Sequence, residues 1–538
     1  MKRIVALLLV LVMALSLAAC GKKAETAETK PAEEPKEAAE AAPEEAKEEA
    51  KEEVKEEVKK IGDHDQNMVV ALDYDLGSFD TATRWANEDF PIYFLTYARL
   101  FEYDEDTNGV PALVEETTNL SDTQVQFKIH QGAKFSDGTE LKAKDVAASI
   151  MYAHDSNLAG ELLDQITSVD VIDDYTVVVN TSSAYPQMTI ALADPICSIH
   201  SADFLEKAKD NADLWQNPVC SGRYKVESRI TGSEIKLVPN EYWYDDATKA
   251  KNDSITFKIV PEASTRTIMV QTGEADLAWS LSAADVGTVE ADPNVTMYTK
   301  ASLRYFYLYM NVNAAPFDNK LVRQAINYAI DRDACLLIQE EGHGQVDYDY
   351  VAPSCMGFLD NPGGFSYNPD KARELIKESG VTDLTIDLTC DASFNSMAAL
   401  IQAELADVGI TCNIVTIEQM VDIIPLIDQD KADFGVVAWS NGPDDALWEP
   451  CTLVESAIGA NNFSKYTNPA LEESIAKYAY SQDEAARVEA YHEWQKILAD
   501  DCPWVPLYVN EQMSVANADL KGVEMCAIQP YNLYNLTY

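Results

Sequence analysis

No two cysteines stand as a CxxC pair anywhere in the 538 residues, which excludes zinc-finger and thioredoxin-like readings on spacing alone. Histidine is scarce. The six, at positions 64, 130, 154, 200, 343 and 492, include no i,i+4 pair, and HExxH, GxSxG and P-loop motifs are all missing. No nucleophile or metal site assembles from these motifs. His343 lies in the loop segment GHG, where a lone imidazole is normally solvated. Positive charge is also in short supply, because 41 Lys and Arg face 90 Asp and Glu for a formal net charge of −49. Such a surface repels nucleic acid and anionic lipid. Carboxylates are so abundant that adjacency such as Asp444-Asp445 cannot mark acid–base chemistry.

What is present begins with an export signal. Lys2 and Arg3 precede an apolar run from Ile4 to Ala19, shorter than the roughly 20 residues that a spanning helix needs. It ends in Leu17-Ala18-Ala19-Cys20, which resembles the bacterial lipobox, whose cysteine receives diacylglycerol and becomes the first residue of the mature protein. Lipidation of Cys20 predicts a chain anchored at the outer face of the cytoplasmic membrane, periplasmic or cell-surface. No other segment reads as membrane-spanning. Residues 21–66 form a spacer of Ala, Glu, Lys, Pro and Thr; Pro31, Pro35 and Pro43 favour extended chain, and the later Glu/Lys alternation supports a solvated helix. Only Val54 and Val58 are placed to line a coiled-coil seam. Residues 22–60 carry a net −5, so about −46 belongs to the chain that follows them.

With Cys20 lipidated, nine cysteines remain, an odd number dispersed through the body. An exported protein can hold disulfides, but dispersed cysteines more often serve as small buried hydrophobes. The stretch YDEDTNGVPALVE at 103–115 places Asp104, Asp106, Asn108, Gly109 and Glu115 on the calcium-loop template. Pro111 stands at its eighth position, where a backbone amide would pair with a second loop, and no second loop follows. DTNG by itself favours a tight turn.

From residue 67 onward, short apolar strands such as MVVALDY (68–74), SITFKIV (254–260), YFYLYMNV (305–312) and FGVVAW (434–439) alternate with amphipathic helices. That alternation predicts α/β architecture without a solenoid repeat. In LVRQAINYAIDR, Val322, Ala325, Ile326, Ala329 and Ile330 share one helical face and are expected in the core. FSDGTELKAKDVAAS (135–149) reads as a turn entering a helix with Lys142 and Asp145 on its polar side.

Six blocks in order resemble the family 5 solute-binding proteins of ABC importers, a group that includes dipeptide, oligopeptide and nickel receptors. They are FSDGTELKAKDVAAS, SGRYKVES with NEYWY, EASTRTIMVQTGEADLAW, YLYMNVNAAPFDNKLVRQAINYAIDRD, YNPDKARELIKESG and WVPLYVNEQMSVANADLKGV. In that family the 103–115 stretch is a strand, a turn and a return. The resemblance implies a two-lobed, periplasmic-binding-protein type II-like α/β clamshell. Lobe 1 would span 67–302 with an inserted subdomain at about 113–220, lobe 2 would span 303–505, and 506–538 would return to lobe 1. It implies capture of short peptides by cleft closure, no enzymatic activity, no cofactor, a monomer, and the permease and ATPase of an importer as partners.

The family's ligand segment typically reads Trp-x-x-Asp-Tyr-Pro-Asp-Pro, and its Asp pairs with the α-ammonium of a peptide. Here WSNGPDDA (439–446) puts Gly442 at that position, and a one-residue deletion would bring Asp444 into the role. The implied site residues are Trp439, Asn441 and Asp444, with Arg304 and Tyr305 where the chain crosses between lobes. The missing Asp keeps a nickel chelate or an oligosaccharide open as cargo, and an extracellular hydrolase is the rival class.

Overall fold

The computed structural model describes residues 65–84, 89–156, 158–418, 420–440, 450–459, 461–478, 481–527 and 530–538. The chain divides into Met1–Glu57 and Val58–Tyr538, and every described residue belongs to the second unit.

In chain order, β1 (Asn67–Leu72) is followed by α1 (Phe90–Thr96), the hairpin β2 (Phe101–Tyr103) and β3 (Gly109–Pro111), then β4 (Val114–Ser121) and β5 (Gln124–Ile129). Next come α2 (Ala143–His154), β6 (Ile166–Asp173), β7 (Thr176–Thr181), β8 (Tyr224–Ile230), β9 (Glu234–Pro239), β10 (Ser254–Ile259), α3 (Ala263–Thr272) and β11 (Leu277–Trp279). The remainder includes β12 (Val295–Met310), α4 (Lys320–Ala329), α5 (Arg332–Glu340), β13 (Gly344–Val346), β14 (Thr385–Asp391), α6 (Asn395–Asp407), β15 (Thr411–Ile417), β16 (Phe434–Ser440), α7 (Glu484–Asp501) and β17 (Trp504–Asn517).

One sheet runs β15-β14-β16-β12-β17-β11-β1-β10-β9-β8, and a separate four-stranded sheet has the order β4-β5-β7-β6. Within the large sheet, β14 pairs in parallel with both β15 and β16, and β1 pairs in parallel with both β10 and β11. Two parallel groups are therefore joined by the antiparallel ribbon of β12 and β17. The ribbon's ladder runs from Val295↔Asn517 to Tyr309↔Trp504, with a register shift between Ala301 and Tyr305.

Beside a large cluster that draws on both halves, each half holds a smaller core of its own. Val322, Ala325, Ile326 and Ala329 of α4 are buried against Phe306, Leu308 and Met310 of β12, so the predicted helical stripe faces the core. On the other half, Met269 and Val270 of α3 pack with Ala71, Ala278 and Val515.

The expectation for α2 needs correction in one respect. Asp145 is buried rather than on the polar side: its carboxylate accepts from the Lys142 amide (2.9 Å) and from the Ala202 amide (2.8 Å). A short acceptor three residues into a helix answers an amide that the helix leaves unpaired. Lys142 does face outward, donating to Asp174 at 2.7 Å.

SGRYKVES also has a local reason. The Gly222 amide donates to Thr96 O at 2.9 Å, and a Cβ on Gly222 would lie 2.4 Å from Leu95 O, so only glycine lets β8 approach the end of α1. Cys197, Cys220, Cys335, Cys390, Cys412 and Cys502 are buried free thiols, and burial pushes Cys220 and Cys502 up to about 12. They fill space and do not ionise near neutral pH.

Candidate functional site

Ligands of parallel α/β sheets bind beyond the carboxyl ends of the strands. Here the registers decide where those ends lie. Trp279, the last residue of β11, pairs with Ser514, and Leu277 pairs with Ala516, so β11 points along β17 toward the register shift. β16 runs the opposite way: Phe434 pairs with Met310, whereas Ser440 pairs with Arg304 at the same shift. The carboxyl ends of the two parallel groups therefore face each other across Ser302, Leu303 and Arg304.

The shift itself is closed by side chains. Ser302 Oγ donates to Asn510 Oδ1 at 2.7 Å and accepts from the Arg304 amide at 2.8 Å. Three residues of β12 stand between the pairs Ala301↔Glu511 and Tyr305↔Val509, with Asn510 opposite them. A bulge of this kind bends and twists a ladder locally.

On the first side of the gap, β1 runs into Asp73, Tyr74 and Asp75, and β11 runs into Ser280, whose φ is +56°. Arg266 of α3 fixes this rim. Its guanidinium donates to Trp279 O (3.1 Å), Ser280 O (2.6 Å), Val260 O (2.8 Å) and Pro261 O (2.9 Å), and so joins the ends of β10 and β11. A planar fork of five donors suits a set of converging carbonyls. Arg229 lies 3.7 Å from Asp75, whose carboxylate also accepts from the Gly232 amide.

On the second side, β14 ends at Asp391, which accepts from the Ser393 amide at 2.8 Å, and β16 ends at Trp439 and Ser440. Trp439 is half-buried, its ring 6.3 Å from Phe463 in an edge-on contact. Tyr305 is its direct register partner, so both side chains leave the same face of the sheet. Tyr305 is buried in a stack with Tyr307 (5.4 Å), and Tyr307 stacks on Trp504 at 4.1 Å.

Arg304 is not brought to that face. Strand alternation places it with Phe306, over whose ring its guanidinium sits at 5.6 Å. Glu340 lies on that side: burial pushes its carboxyl up to about 7, a rise that a hydrogen bond from Tyr508 and the Arg304 charge partly offset. Asn441, Asp444 and Cys20 lie outside the described residues.

Sequence reasoning had not singled out Asp73, Tyr74, Asp75, Arg266, Trp279 and Ser280. Their signal is positional, since they follow or brace the apolar runs MVVALDY and ADLAW. Gln187 Nε2 lies 3.4 Å from Tyr491 Oη of α7, a link between segments far apart in the chain.

The calcium template resolves as a turn. Asp104 Oδ1 accepts from the amides of Asp106 (3.0 Å) and Asn108 (2.9 Å), and Asn108 Nδ2 donates to both of its oxygens. The flanking residues pair as the β2–β3 hairpin.

The sequence pattern of the bacterial extracellular solute-binding proteins, family 5 (middle), matches residues 108–461. The glutathione-binding protein GsiB of Salmonella paratyphi A is 29% identical over 444 residues, covering 79% of this chain and 85% of that protein. Heme-binding protein A of Haemophilus influenzae is 27% identical over 461 residues, covering 79% and 84%. The dipeptide-binding protein of Pseudoalteromonas sp. SM9913, solved with Met-Leu, superposes with a TM-score of 0.77 at 20% identity, over 87% of this chain and 99% of that one. That neighbour shows the fold, a two-lobed α/β clamshell of the type II periplasmic-binding-protein kind. On the matched span and on the cover shared with these relatives, this chain belongs to family 5 of the bacterial extracellular solute-binding proteins, the solute receptors of ABC importers and not enzymes.

Proposed function

We propose that the chain captures short peptides outside the cytoplasmic membrane, tethered through a lipid on Cys20, and hands them to an importer's permease. The observation that carries this reading is the meeting of two sets of strand ends at one bulged ribbon, with Trp439 and Tyr305 side by side on one wall. In this reading the lobes divide near Ser302–Leu303–Arg304 and near Asn510 on the returning strand. Binding then amounts to stabilising the closed arrangement through contacts that exist only there. Trp439 offers a flat apolar surface that tolerates varied side chains, and Asn441 and Asp444 follow it in sequence. GsiB is named for glutathione, itself a tripeptide, which supports a small peptide as cargo.

The test is to purify the chain, denature it and identify by mass spectrometry what is released, then to titrate peptide pools by calorimetry. Released or saturably bound peptides support the reading. A bound metal chelate or glycan, with no saturable peptide uptake, overturns the peptide assignment and leaves the fold intact.

A further inference from the structure

Arginines surround the gap between the two sets of strand ends, and most are already engaged by the protein itself. Arg266 is taken up by the carbonyls at the ends of β10 and β11. Arg229 is nearly buried, donating to Leu76 O and lying 3.7 Å from Asp75. Arg304 is turned to the other face, over Phe306.

Arg84 differs. Its guanidinium lies 4.2 Å from the ring centroid of Tyr74, an exposed residue just beyond the end of β1. Its Nε is 3.2 Å from the carboxylate of Asp89, the buried residue that precedes α1. Neither Nη has an acceptor among the described residues and, with the side chain 26% exposed, neither is a buried nitrogen. Gly77 makes room for the side chain: a Cβ there would lie 2.7 Å from Nη1 and 2.9 Å from Cδ of Arg84.

A ring beneath it, an acid at Nε and a glycine beside it thus pre-orient a guanidinium whose outer nitrogens are still able to donate. That arrangement suits a carboxylate, which takes two parallel N–H donors in one plane. Asp89 does not compete for the site, because its side chain is 1% exposed and meets the guanidinium at Nε. The neighbouring acids are matched as well: Asp75 by Arg229 and the Gly232 amide, and Asp73 by the nearby charge of Arg266. This wall is therefore close to neutral in a chain that is otherwise strongly acidic. A carboxylate arriving there meets a cation without facing an uncompensated acid, and closure of the lobes strengthens the pair by removing water from it.

On the peptide-receptor reading, we propose that Arg84, stacked on Tyr74, selects cargo that carries a carboxylate, either the terminal one of a peptide or one on a side chain. Gly77 acts as a positioning residue for it.

Equilibrium dialysis of the full chain against three synthetic tripeptide pools tests this. One pool has uncharged side chains and free carboxyl termini, the second is the same pool as carboxamides, and the third consists of carboxamides carrying one glutamate. The wild-type chain is expected to retain at least one carboxylate-bearing pool about tenfold more tightly than the plain carboxamides, and which pool it is names the source of the carboxylate. In Arg84→Met that preference is expected to fall to within about twofold, and in Gly77→Ala, which displaces the guanidinium without removing it, to shrink in the same direction. Circular dichroism reports whether each variant folds, and if Arg84→Met does not, Gly77→Ala decides. Equal retention of all three pools by the wild-type chain, or a preference unchanged in the folded variant, overturns the role of Arg84 and leaves the peptide reading standing. No saturable retention of any pool overturns both.

Discussion

Trp439 and Arg304 sit one register step apart across the β12–β16 ladder, yet the pleat sends them to opposite faces. On the proposed peptide-receptor reading the consequence is measurable: Trp439→Ala is expected to weaken peptide affinity about tenfold or more, whereas Arg304→Ala changes it by less than about twofold. Calorimetric titration of both variants with one peptide decides; equal losses would mean that the pleat does not govern contact with cargo. The difference was invisible in the sequence for a physical reason. SLRYFYLYMN is apolar at nearly every position because β12 is covered on both sides, and a strand buried on both faces has no period-2 signal from which to read its phase. Asp347 offers a second residue-scale test. Burial raises its carboxyl from 3.8 to about 7, against a hydrogen bond from the Asp349 amide and the charge of Arg332. A folded state that holds this proton more tightly than the unfolded chain gains stability that is complete below about pH 4 and lost as pH rises through 7. Asp347→Asn is therefore expected to flatten the pH profile, removing about 2–4 kcal/mol of the wild-type decline between pH 4 and pH 7.5. Urea midpoints across that range check it, and parallel profiles would refute it.

Among elements, the β2–β3 hairpin shows how a motif can be matched by its letters and still be something else. Asp104 accepts three hydrogen bonds on Oδ1, two of them from backbone amides, so its oxygens already serve the turn. Asp104→Ala is expected to cost about 1 kcal/mol, by the same amount in calcium and in EDTA. A calcium-dependent difference in chemical denaturation would restore the metal reading. Several strands were legible from composition: SITFKIV and FGVVAW fall within a residue of β10 and β16. β12 was only half seen, because YFYLYMNV covers its second half while VTMYTKA, its first, is exposed or half-buried after Val295 and carries Thr and Lys. The facing strand ends were equally hidden, since they depend on registers between segments more than a hundred residues apart, which no local pattern encodes. Asp145 misled for the opposite reason. A charged residue in a helix reads as solvent-facing, and only the fold shows that two amides converge on it.

At the scale of the whole molecule, charge is the dominant feature. A body carrying about −46 repels itself, and this self-repulsion opposes compactness until salt screens it. Raising sodium gluconate from about 10 to 150 mM, which brings the Debye length from roughly 30 to 8 Å, is therefore expected to raise the melting temperature. A flat response would show that the acidic groups are locally compensated. No helix among the described residues is long and apolar enough to cross a membrane.

The ribbon of β12 and β17 constrains how such a receptor can move. Two neighbouring strands laced together act like a leaf spring, compliant to flexing and torsion but stiff against stretching and shear. Such a ribbon favours a swing of the halves over a sideways slip between them. Admission and release of cargo thus lie along a single angular coordinate, and a permease that sensed that one angle would know whether the receptor was loaded.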